Sequence, residues 1–368
     1  MHLHHLTDTP SPALVIDLAA VRHNIQQVRA WLPEGDLARW RPHVKTLKVA
    51  APQAELIRAG VRHFKCATTR EAAVLLNVAA AEGEPIDLLV AYPHVQPALG
   101  HLADLARRHP EARLSVLCEH PDHLLAVPDE LGVFIDVNLG MDRTGVAPEA
   151  LDLIIPIARA AGERYRGLHG YEGHVHAGPA SARRAEVFAA LARLETLRLA
   201  LAAADVTTAE LVTSGTPSFR HALAFEPFQA LPPGTVHRVS PGTVVYHDAR
   251  SAELKELGGL TWAAVVLSRI ISQPLPTRVT CDAGSKALAA EVGDPCAQVL
   301  GHDRLTARTP SEEHLPLDGP ASDLPPHGAP VLLVPRHVCP TVNLADHAVL
   351  IDGDRLLGEV AVAARGHA

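Results

Sequence analysis

The sequence predicts an α/β protein: a (β/α)8 barrel followed by a β-rich domain. Three observations support this prediction. The 368 residues exceed the roughly 250–300 residues at which a single core stops growing. From residue 39 onward, short apolar β-type segments alternate with longer segments of helical period, which is typical of βα units. After Tyr246 the helical pattern fades. We therefore expect a barrel over 18–245 and a β-rich domain formed by 1–17 and 246–368.

The barrel strands are predicted from eight apolar segments, most of them separated by a plausible helix such as Ser181–Ala204. Eight parallel strands with crossovers over about 200 residues match the strand number and the length of a (β/α)8 barrel. The eight segments are Arg39–Thr46, His63–Thr68, Asp87–Tyr92, Arg113–Glu119, Leu131–Asn138, Tyr165–Glu172, Glu210–Gly215 and Val236–Gly242.

The β-rich domain is predicted from extended segments with little helical pattern between them, at Leu260–Gln273, Thr277–Asp282, Ala297–Gly301 and Ala329–Val338. A hairpin is expected around Asp352-Gly353-Asp354, because Gly with Asp favours a tight turn. The opening strand Ala13–Asp17 has no place in the barrel and is expected to pair with this domain. The Pro-rich stretch Thr309–Pro330 is expected to be a loop.

Composition excludes several classes of function. The net charge is −8, and no run of like charge stands out, which disfavours nucleic acids and anionic membranes as partners. No apolar stretch approaches the roughly 18 residues of a membrane helix, and the start lacks a signal-peptide pattern, so we expect a cytoplasmic protein. The 5 cysteines show no Cys-x-x-Cys spacing and do not indicate a disulfide framework.

Lys45 ends the first predicted strand, and a barrel places its active site at the C-terminal ends of its strands. With a period of two, Arg41, His43 and Lys45 share one face. If that face is the barrel interior, burial and a neighbouring cation would make Lys45 a usable amine nucleophile. The alternative is a solvated lysine beside a loop.

The last two predicted barrel strands end in Thr213–Ser218 and in Ser240–Thr243, both rich in small hydroxyl residues and glycine. Such loops expose backbone N–H groups, and barrels commonly bind phosphate at these two positions. Either loop alone could be an ordinary turn. Together with a lysine at another strand end, they suggest pyridoxal phosphate.

His337 and Cys339 form a His-x-Cys pair on a segment predicted to be extended, where both side chains would point the same way. They could offer an imidazole nitrogen and a thiolate to one metal ion. From the spacing alone, a core cysteine beside a surface histidine is the simpler interpretation.

Taken together, five motifs resemble the metal-activated fold-type III pyridoxal phosphate enzymes. This group contains D-threonine aldolase, eukaryotic-type D-serine dehydratase and related 3-hydroxy-D-aspartate lyases. The motifs are Arg-Pro-His-Val-Lys-Thr at 41–46, Ser-Gly-Thr-Pro-Ser at 214–218, Pro-Gly-Thr at 241–243, Asp-Ala-Gly-x-Lys-Ala at 282–287 and His-x-Cys-Pro-Thr-Val-Asn at 337–343. The resemblance covers nearly the whole chain and implies an alanine racemase-like barrel.

The resemblance also implies roles for individual residues. Lys45 matches the lysine that binds the cofactor aldehyde, which removes the other four lysines from contention. Phosphate contacts fall on Thr216, Gly242 and Thr243 and extend to Ser214 and Gly215.

Contacts with the cofactor ring fall on His169 and His176, although relatives have Tyr or Gln at the first position and some have Tyr at the second. Arg143 matches an arginine that would position cofactor or substrate. His337 and Cys339 match a pair that binds a divalent ion, either zinc, manganese or magnesium. Aldolases usually have Asp where Cys339 stands, and a thiolate favours zinc; the residues that follow Cys339 are more like the aldolases.

The function implied is a lyase of β-hydroxy-D-amino acids, with retro-aldol cleavage of D-threonine-like substrates to glycine and an aldehyde. The first alternative is a D-serine or 3-hydroxy-D-aspartate dehydratase that yields a keto acid and ammonia. An amino-acid racemase and a cofactor carrier without turnover are further alternatives. The relatives also imply a homodimer.

Overall fold

The computed structural model describes residues 6–291 and 293–367, and in this part of the chain there are sixteen strands and ten α-helices. The strands are β1 Ala13–Asp17, β2 His63–Cys66, β3 Asp87–Val90, β4 Arg113–Cys118, β5 Gly132–Val137, β6 Tyr165–Gly170, β7 Glu210–Thr213, β8 Val236–Val239, β9 Ala264–Leu275, β10 Arg278–Cys281, β11 Ala297–Val299, β12 Thr306–Ala307, β13 Leu315–Asp318, β14 Pro330–Pro335, β15 His347–Asp352 and β16 Arg355–Ala361. The helices are α1 Leu18–Trp31, α2 Ala50–Arg58, α3 Thr69–Glu82, α4 Ala98–Arg108, α5 Pro121–Ala126, α6 Leu151–Ala161, α7 Ala180–Ala203, α8 Phe219–Leu223, α9 Ala249–Ala252 and α10 Val338–Leu344.

Strands β2 to β8 form a parallel sheet in sequence order, with helices in the connections between them. The local sequence explains where a typical helix of this sheet begins and ends. Helix α3 begins after Thr68, whose hydroxyl accepts a hydrogen bond from the backbone N–H of Glu71, and it ends at Gly83 in the left-handed conformation. Both are standard helix boundary signals.

The predicted first strand, Arg39–Thr46, is not a regular strand. Isolated parallel bridges join Trp40 to Val239 of β8 and His43 to Lys65 of β2, so residues 40–43 close the sheet into a barrel. Pro42 has no N–H for the ladder, and the chain then turns into the 3-10 helix Val44–Thr46. The predicted (β/α)8 fold class is confirmed, with one irregular strand.

The second sheet has nine strands and is mostly antiparallel. The opening strand β1 pairs in parallel with β15 and antiparallel with β9, which confirms its predicted place in the β-rich part. The expected hairpin is also confirmed, since β15 and β16 pair around Gly353, where φ is +59°.

Two predictions for the β-rich part are wrong. Thr309–Pro330 contains β13, which pairs with β10 and β12 because Leu315 and Leu317 alternate into the core. The extended segment predicted over Ala329–Val338 stops at Pro335, and helix α10 begins at Val338. Cys339 therefore lies in the first turn of a helix.

By its internal contacts the chain divides into two units. The barrel unit comprises Arg29–Lys45 and Ile57–Gly242 with residue 367, and the β-rich unit comprises 6–28, Thr46–Leu56 and 243–366 apart from residue 292. The domain boundaries predicted at 17/18 and 245/246 remain a proposal. No helix among the described residues is long and apolar enough to cross a membrane.

Each unit has its own core. In the β-rich unit, β1, β9 and β15 contribute Val15, Val265 and Val349 to one buried cluster. In the barrel, Leu117, Phe134 and Val212 pack together from β4, β5 and β7. These cores support the strand ends that carry the polar side chains described below.

Candidate active site

Lys45 lies in the 3-10 helix Val44–Thr46, and its side chain is exposed. Its backbone N–H donates to Nδ1 of His43 at 3.3 Å. The sequence predicted Lys45 on the same strand face as Arg41. The 3-10 turn removes that alternation, so Arg41 is fully buried while Lys45 is exposed.

A second lysine, Lys65 on β2, is buried inside the barrel. Its Nζ lies 3.4 Å from Nε2 of His169 on β6, and Nδ1 of His169 lies 2.7 Å from Oδ1 of Asp136 on β5. The other carboxylate oxygen of Asp136 accepts a hydrogen bond from the hydroxyl of Thr144 at 2.8 Å. Three buried side chains thus form a continuous polar chain across the barrel.

The protonation of this chain follows from its surroundings. Burial and the neighbouring charge of Lys65 lower the pKa of His169. Burial opposes ionisation of Asp136, but the hydrogen bond and charge of His169 hold its pKa below the usual value. Burial and the charge of Lys45 lower the pKa of Lys65 to about 7. A carboxylate, a neutral imidazole and a lysine close to half-protonation are therefore expected at neutral pH.

Tyr171 follows β6 and lies near two basic side chains, with Lys65 Nζ and Arg143 Cζ at 5.6 and 5.7 Å from its ring centroid. Asp136, Arg143, His169 and Tyr171 line one polar cavity of the barrel unit. Glu172, the next residue, is buried, and neither of its carboxylate oxygens has a hydrogen-bond partner in the described chain.

The loop after β7 packs closely against Tyr171. Ser214 is buried and has a positive φ of +67°, and a Cβ on Gly215 would lie 3.0 Å from Cε2 of Tyr171. The hydroxyl of Thr216 is buried and finds no hydrogen-bond partner among the described residues. Buried polar groups normally have a hydrogen-bond partner, and a bound phosphate would accept a hydrogen bond from this hydroxyl.

The loop after β8 shows the same two features. The buried hydroxyl of Ser240 also has no partner in the described chain. A Cβ on Gly242 would lie 2.2 Å from the carbonyl oxygen of His43, so only glycine fits at this position. The loops predicted to bind phosphate therefore contain two free hydroxyl groups in the barrel unit.

The β-rich unit holds Thr243 and the two predicted metal ligands, His337 and Cys339. Sγ of Cys339 lies 3.0 Å from the hydroxyl of Thr46 and 3.5 Å from that of Thr243. His337 precedes helix α10, and its side chain hydrogen-bonds to Cys339. Burial opposes protonation of His337, but this bond and the thiolate charge raise its pKa. The pair is brought together although Cys339 is helical rather than extended.

Asp248 fixes the helix that carries Cys339. Its carboxylate oxygens accept hydrogen bonds from the backbone N–H groups of Ser251 at 2.8 Å and Val338 at 3.1 Å. Across residues 6–291 and 293–367, no group of three or more His, Cys, Asp or Glu side chains is arranged to hold a metal ion. His337 and Cys339 therefore offer two protein donors.

The two histidines predicted to contact the cofactor ring differ. Both ring nitrogens of His169 have partners inside the barrel, whereas His176 is exposed, with Nδ1 3.3 Å from the carbonyl of Gly173. Sequence reasoning missed Lys65, Asp136, Tyr171 and Glu172. A charged residue inside the short apolar segment His63–Thr68 was a usable signal for Lys65.

Comparisons with known proteins agree with this architecture. The model of the alanine racemase N-terminal domain matches residues 16–249, and that of a putative serine dehydratase domain matches 263–351. The D-threonine aldolase of an Arthrobacter species is 29% identical over 361 residues, which cover 94% of this chain and 90% of that protein. The 3-hydroxy-D-aspartate aldolase of Paracoccus denitrificans strain Pd 1222 is 26% identical and covers 98% of this chain and 93% of its own length.

Among solved structures, D-threonine aldolase from Filomicrobium marinum matches with a TM-score of 0.85 at 26% identity, covering 98% of this chain and 96% of that one. The resemblance predicted from the motifs is thereby confirmed.

Proposed function

Because this chain belongs to the family with the alanine racemase N-terminal domain, we propose that it is a pyridoxal phosphate-dependent lyase. Its substrates would be β-hydroxy-D-amino acids of the D-threonine type, cleaved to glycine and an aldehyde. The similarity to two aldolases over nearly the whole chain supports this activity. The observation that carries the proposal is the buried Thr216 hydroxyl in the loop after β7, which has no hydrogen-bond partner among the described residues.

The residues of the barrel unit fit the cofactor. Lys45 would bind its aldehyde covalently, and Ser214, Gly215, Thr216 and Gly242 would hold its phosphate. Thr243 follows Gly242 and is proposed as a further phosphate contact. When bound, pyridoxal phosphate supplies a sink for the electrons released when a bond to the substrate α-carbon breaks.

Lys45 and Arg143 have the properties that this chemistry needs. The exposed amine of Lys45 can be displaced by a substrate amine and can return to release the product. The Arg143 guanidinium beside Tyr171 provides a fixed positive charge for a carboxylate or for the cofactor. His169 would act indirectly, by positioning Lys65, because both of its ring nitrogens already have hydrogen-bond partners. His176 remains a proposed contact on the exposed side.

The donor set of His337 and Cys339 fits a divalent ion. A thiolate with an imidazole suits zinc better than manganese or magnesium, and two protein donors leave positions free for other ligands. When bound, such an ion supplies acidification of a hydroxyl group that coordinates it. Zinc is therefore our first proposal for the metal.

A dehydratase is the second candidate. It is favoured by Cys339, since the resemblance associates Cys with dehydratases and Asp with aldolases at this position. Lys45 would then remove the α-proton of the substrate, and the β-hydroxyl would leave. A racemase would need no metal at all.

Products decide between these candidates. Protein loaded with pyridoxal phosphate and zinc is incubated with D-threonine, D-serine and 3-hydroxy-D-aspartate, before and after EDTA, and glycine, aldehydes and keto acids are measured. We expect glycine from D-threonine that disappears on chelation. Pyruvate from D-serine without any glycine from D-threonine would replace the aldolase by the dehydratase. Conversion of the D-amino acids to their L-enantiomers that survives EDTA, measured by chiral chromatography, would favour the racemase.

Borohydride reduction followed by peptide mapping tests the attachment of the cofactor. We expect the label on Lys45 and its loss in Lys45→Ala, while the surface variant Lys255→Met retains it. A homodimer and a cytoplasmic location also remain proposals. Light scattering tests the dimer, and cell fractionation tests the location.

A further inference from the structure

The buried amine of Lys65 is not used by the function proposed above. Its strand β2 is bridged at Lys65 to His43, so it adjoins the segment that carries Lys45. Its side chain crosses the barrel to His169, four strands away in the sheet order. The amine also lies over the ring of Tyr171, which lines the polar cavity together with Asp136 and Arg143.

The hydrogen bonds fix the direction of this polar chain. Asp136 is acceptor-only when ionised, so His169 must donate its Nδ1–H to it. Nε2 of His169 then carries a lone pair and accepts a hydrogen bond from Lys65. His169 has no nitrogen left for a ligand, whereas the Lys65 amine retains further N–H groups.

The charges around Lys65 come from several strands of the barrel. Burial, Lys45 and Arg41 disfavour its protonated form, whereas Glu172 and Asp136 favour it. The balance brings the pKa of Lys65 to about 7. Glu172 acts through space alone, because its buried carboxylate has no hydrogen-bond partner among the described residues.

We propose that Lys65, oriented by the Asp136–His169 pair, is the hydrogen-bond donor that this chain offers to the ring of bound pyridoxal phosphate. The inference rests on the proposed function and assigns to Lys65 the ring contact that the sequence had assigned to His169. Lys65 would thereby set the charge beside the ring. A neutral amine leaves the ring electrons undisturbed, whereas an ammonium group draws them toward itself.

The test is the visible absorption of the bound cofactor as a function of pH, which does not depend on turnover. The wild-type protein should show a pH-dependent spectral transition that is governed by Lys65. Lys65→Met should abolish it, and Lys65→Arg, which stays charged, should keep the low-pH spectrum up to pH 9. The surface variant Lys255→Met should titrate like the wild type.

Glu172→Gln provides a gentler variant, since it removes a charge without breaking a hydrogen bond in the described chain. It should move the transition to lower pH, because the lost negative charge no longer favours protonated Lys65. A transition that persists in Lys65→Met overturns the proposal. If Lys65→Met does not fold, an unmoved transition in Glu172→Gln together with a wild-type-like titration of Lys65→Arg overturns it.

The borohydride experiment separates this inference from the proposed function. If the cofactor is fixed on Lys45 in the wild type but the spectral transition is unchanged by substitution of Lys65, only the role proposed for Lys65 is refuted. A wild-type protein that binds no pyridoxal phosphate removes both.

Discussion

The barrel interior contains two buried clusters of charged residues. We call the first the complete cluster, because its central arginine has a hydrogen-bond acceptor for every N–H group. We call the second the incomplete cluster, because one of its carboxylates has no hydrogen-bond partner in the described chain. At the N-terminal ends of the strands, Arg41 uses all five of its N–H donors, toward Glu210, Asp87 and two backbone carbonyls. Arg238 adds a further ion pair to Glu210 at 2.7 Å. At the C-terminal ends, Lys65, His169 and Asp136 are linked, but both oxygens of Glu172 have no hydrogen-bond partner in the described chain.

The difference separates a structural task from a functional one. Burying charge is costly unless hydrogen bonds compensate it, and every N–H donor of Arg41 has an acceptor. The Lys65 cluster lies at the end of the barrel where ligands bind. Its neighbouring loops contain the hydroxyls of Thr216 and Ser240, which have no hydrogen-bond partner within residues 6–291 and 293–367. We infer that the first cluster stabilises the barrel and that the second is completed by a ligand.

The largest expected effect comes from breaking the complete cluster. Arg41→Met leaves two carboxylates buried without their main partner, so the free energy of unfolding should fall by about 3–5 kcal/mol. Urea unfolding measures this loss. The exposed pair Arg193–Glu149 provides the control, since Arg193→Met should cost no more than about 1 kcal/mol. Equal effects of the two variants would refute the contrast.

Substitutions beside the incomplete cluster should change the affinity for the cofactor and not the free energy of unfolding. Thr216→Val removes a hydroxyl that has no partner in the described chain, so unfolding of the cofactor-free protein should be unchanged. A lost hydrogen bond to a charged phosphate should weaken pyridoxal phosphate binding by about 1.5–3 kcal/mol. Fluorescence titration with the cofactor measures the affinity. Thr235→Val is the control, because the Thr235 hydroxyl donates to the carbonyl of Thr208 at 2.8 Å and its loss should lower stability without weakening cofactor binding.

The sequence predicted the positions of the two loops after β7 and β8 but not the partners of Arg41, and the binding of phosphate by these loops stays a prediction. The loops after β7 and β8 are local features, readable from Ser, Thr and Gly at two strand ends. The partners of Arg41 are not local, since Glu210 lies 169 residues away. Lys65 and His169 are 104 residues apart, and they meet only because the sheet closes.

Two wrong predictions of backbone conformation also have local causes. Pro42 and the turn at Val44–Thr46 interrupted the first strand, so the alternation that placed Lys45 beside Arg41 failed. Helix α10 begins two residues before Pro340, which is compatible with its first turn, and this defeated the extended prediction for Cys339. For both Lys45 and Cys339 the predicted backbone conformation was wrong, and both residues stay in the proposed site.

Gly242 tests whether the second loop has room for a side chain. Gly242→Ala would place a Cβ 2.2 Å from the carbonyl oxygen of His43, and relieving that overlap should cost about 1–3 kcal/mol. We expect lower stability together with weaker cofactor binding, since the loop must shift. Gly258→Ala is the control, because its nearest neighbour would lie at an ordinary 3.5 Å. Wild-type stability and cofactor affinity in Gly242→Ala would contradict the tight approach of the two backbones.

The smallest effect sharpens the comparison through pH. The pKa of Lys65 is about 7 in the folded chain, against 10.5 for an ordinary lysine, so between these values the unfolded chain binds one more proton than the folded one. Stability should therefore rise with pH in this window, by at most about 1.4 kcal/mol per pH unit. Lys65→Met should lack this contribution, and urea unfolding of the cofactor-free proteins at pH 7, 8 and 9 measures the difference in slope. Parallel slopes would mean that Lys65 is charged in the folded barrel, and the incomplete cluster would then resemble the complete one.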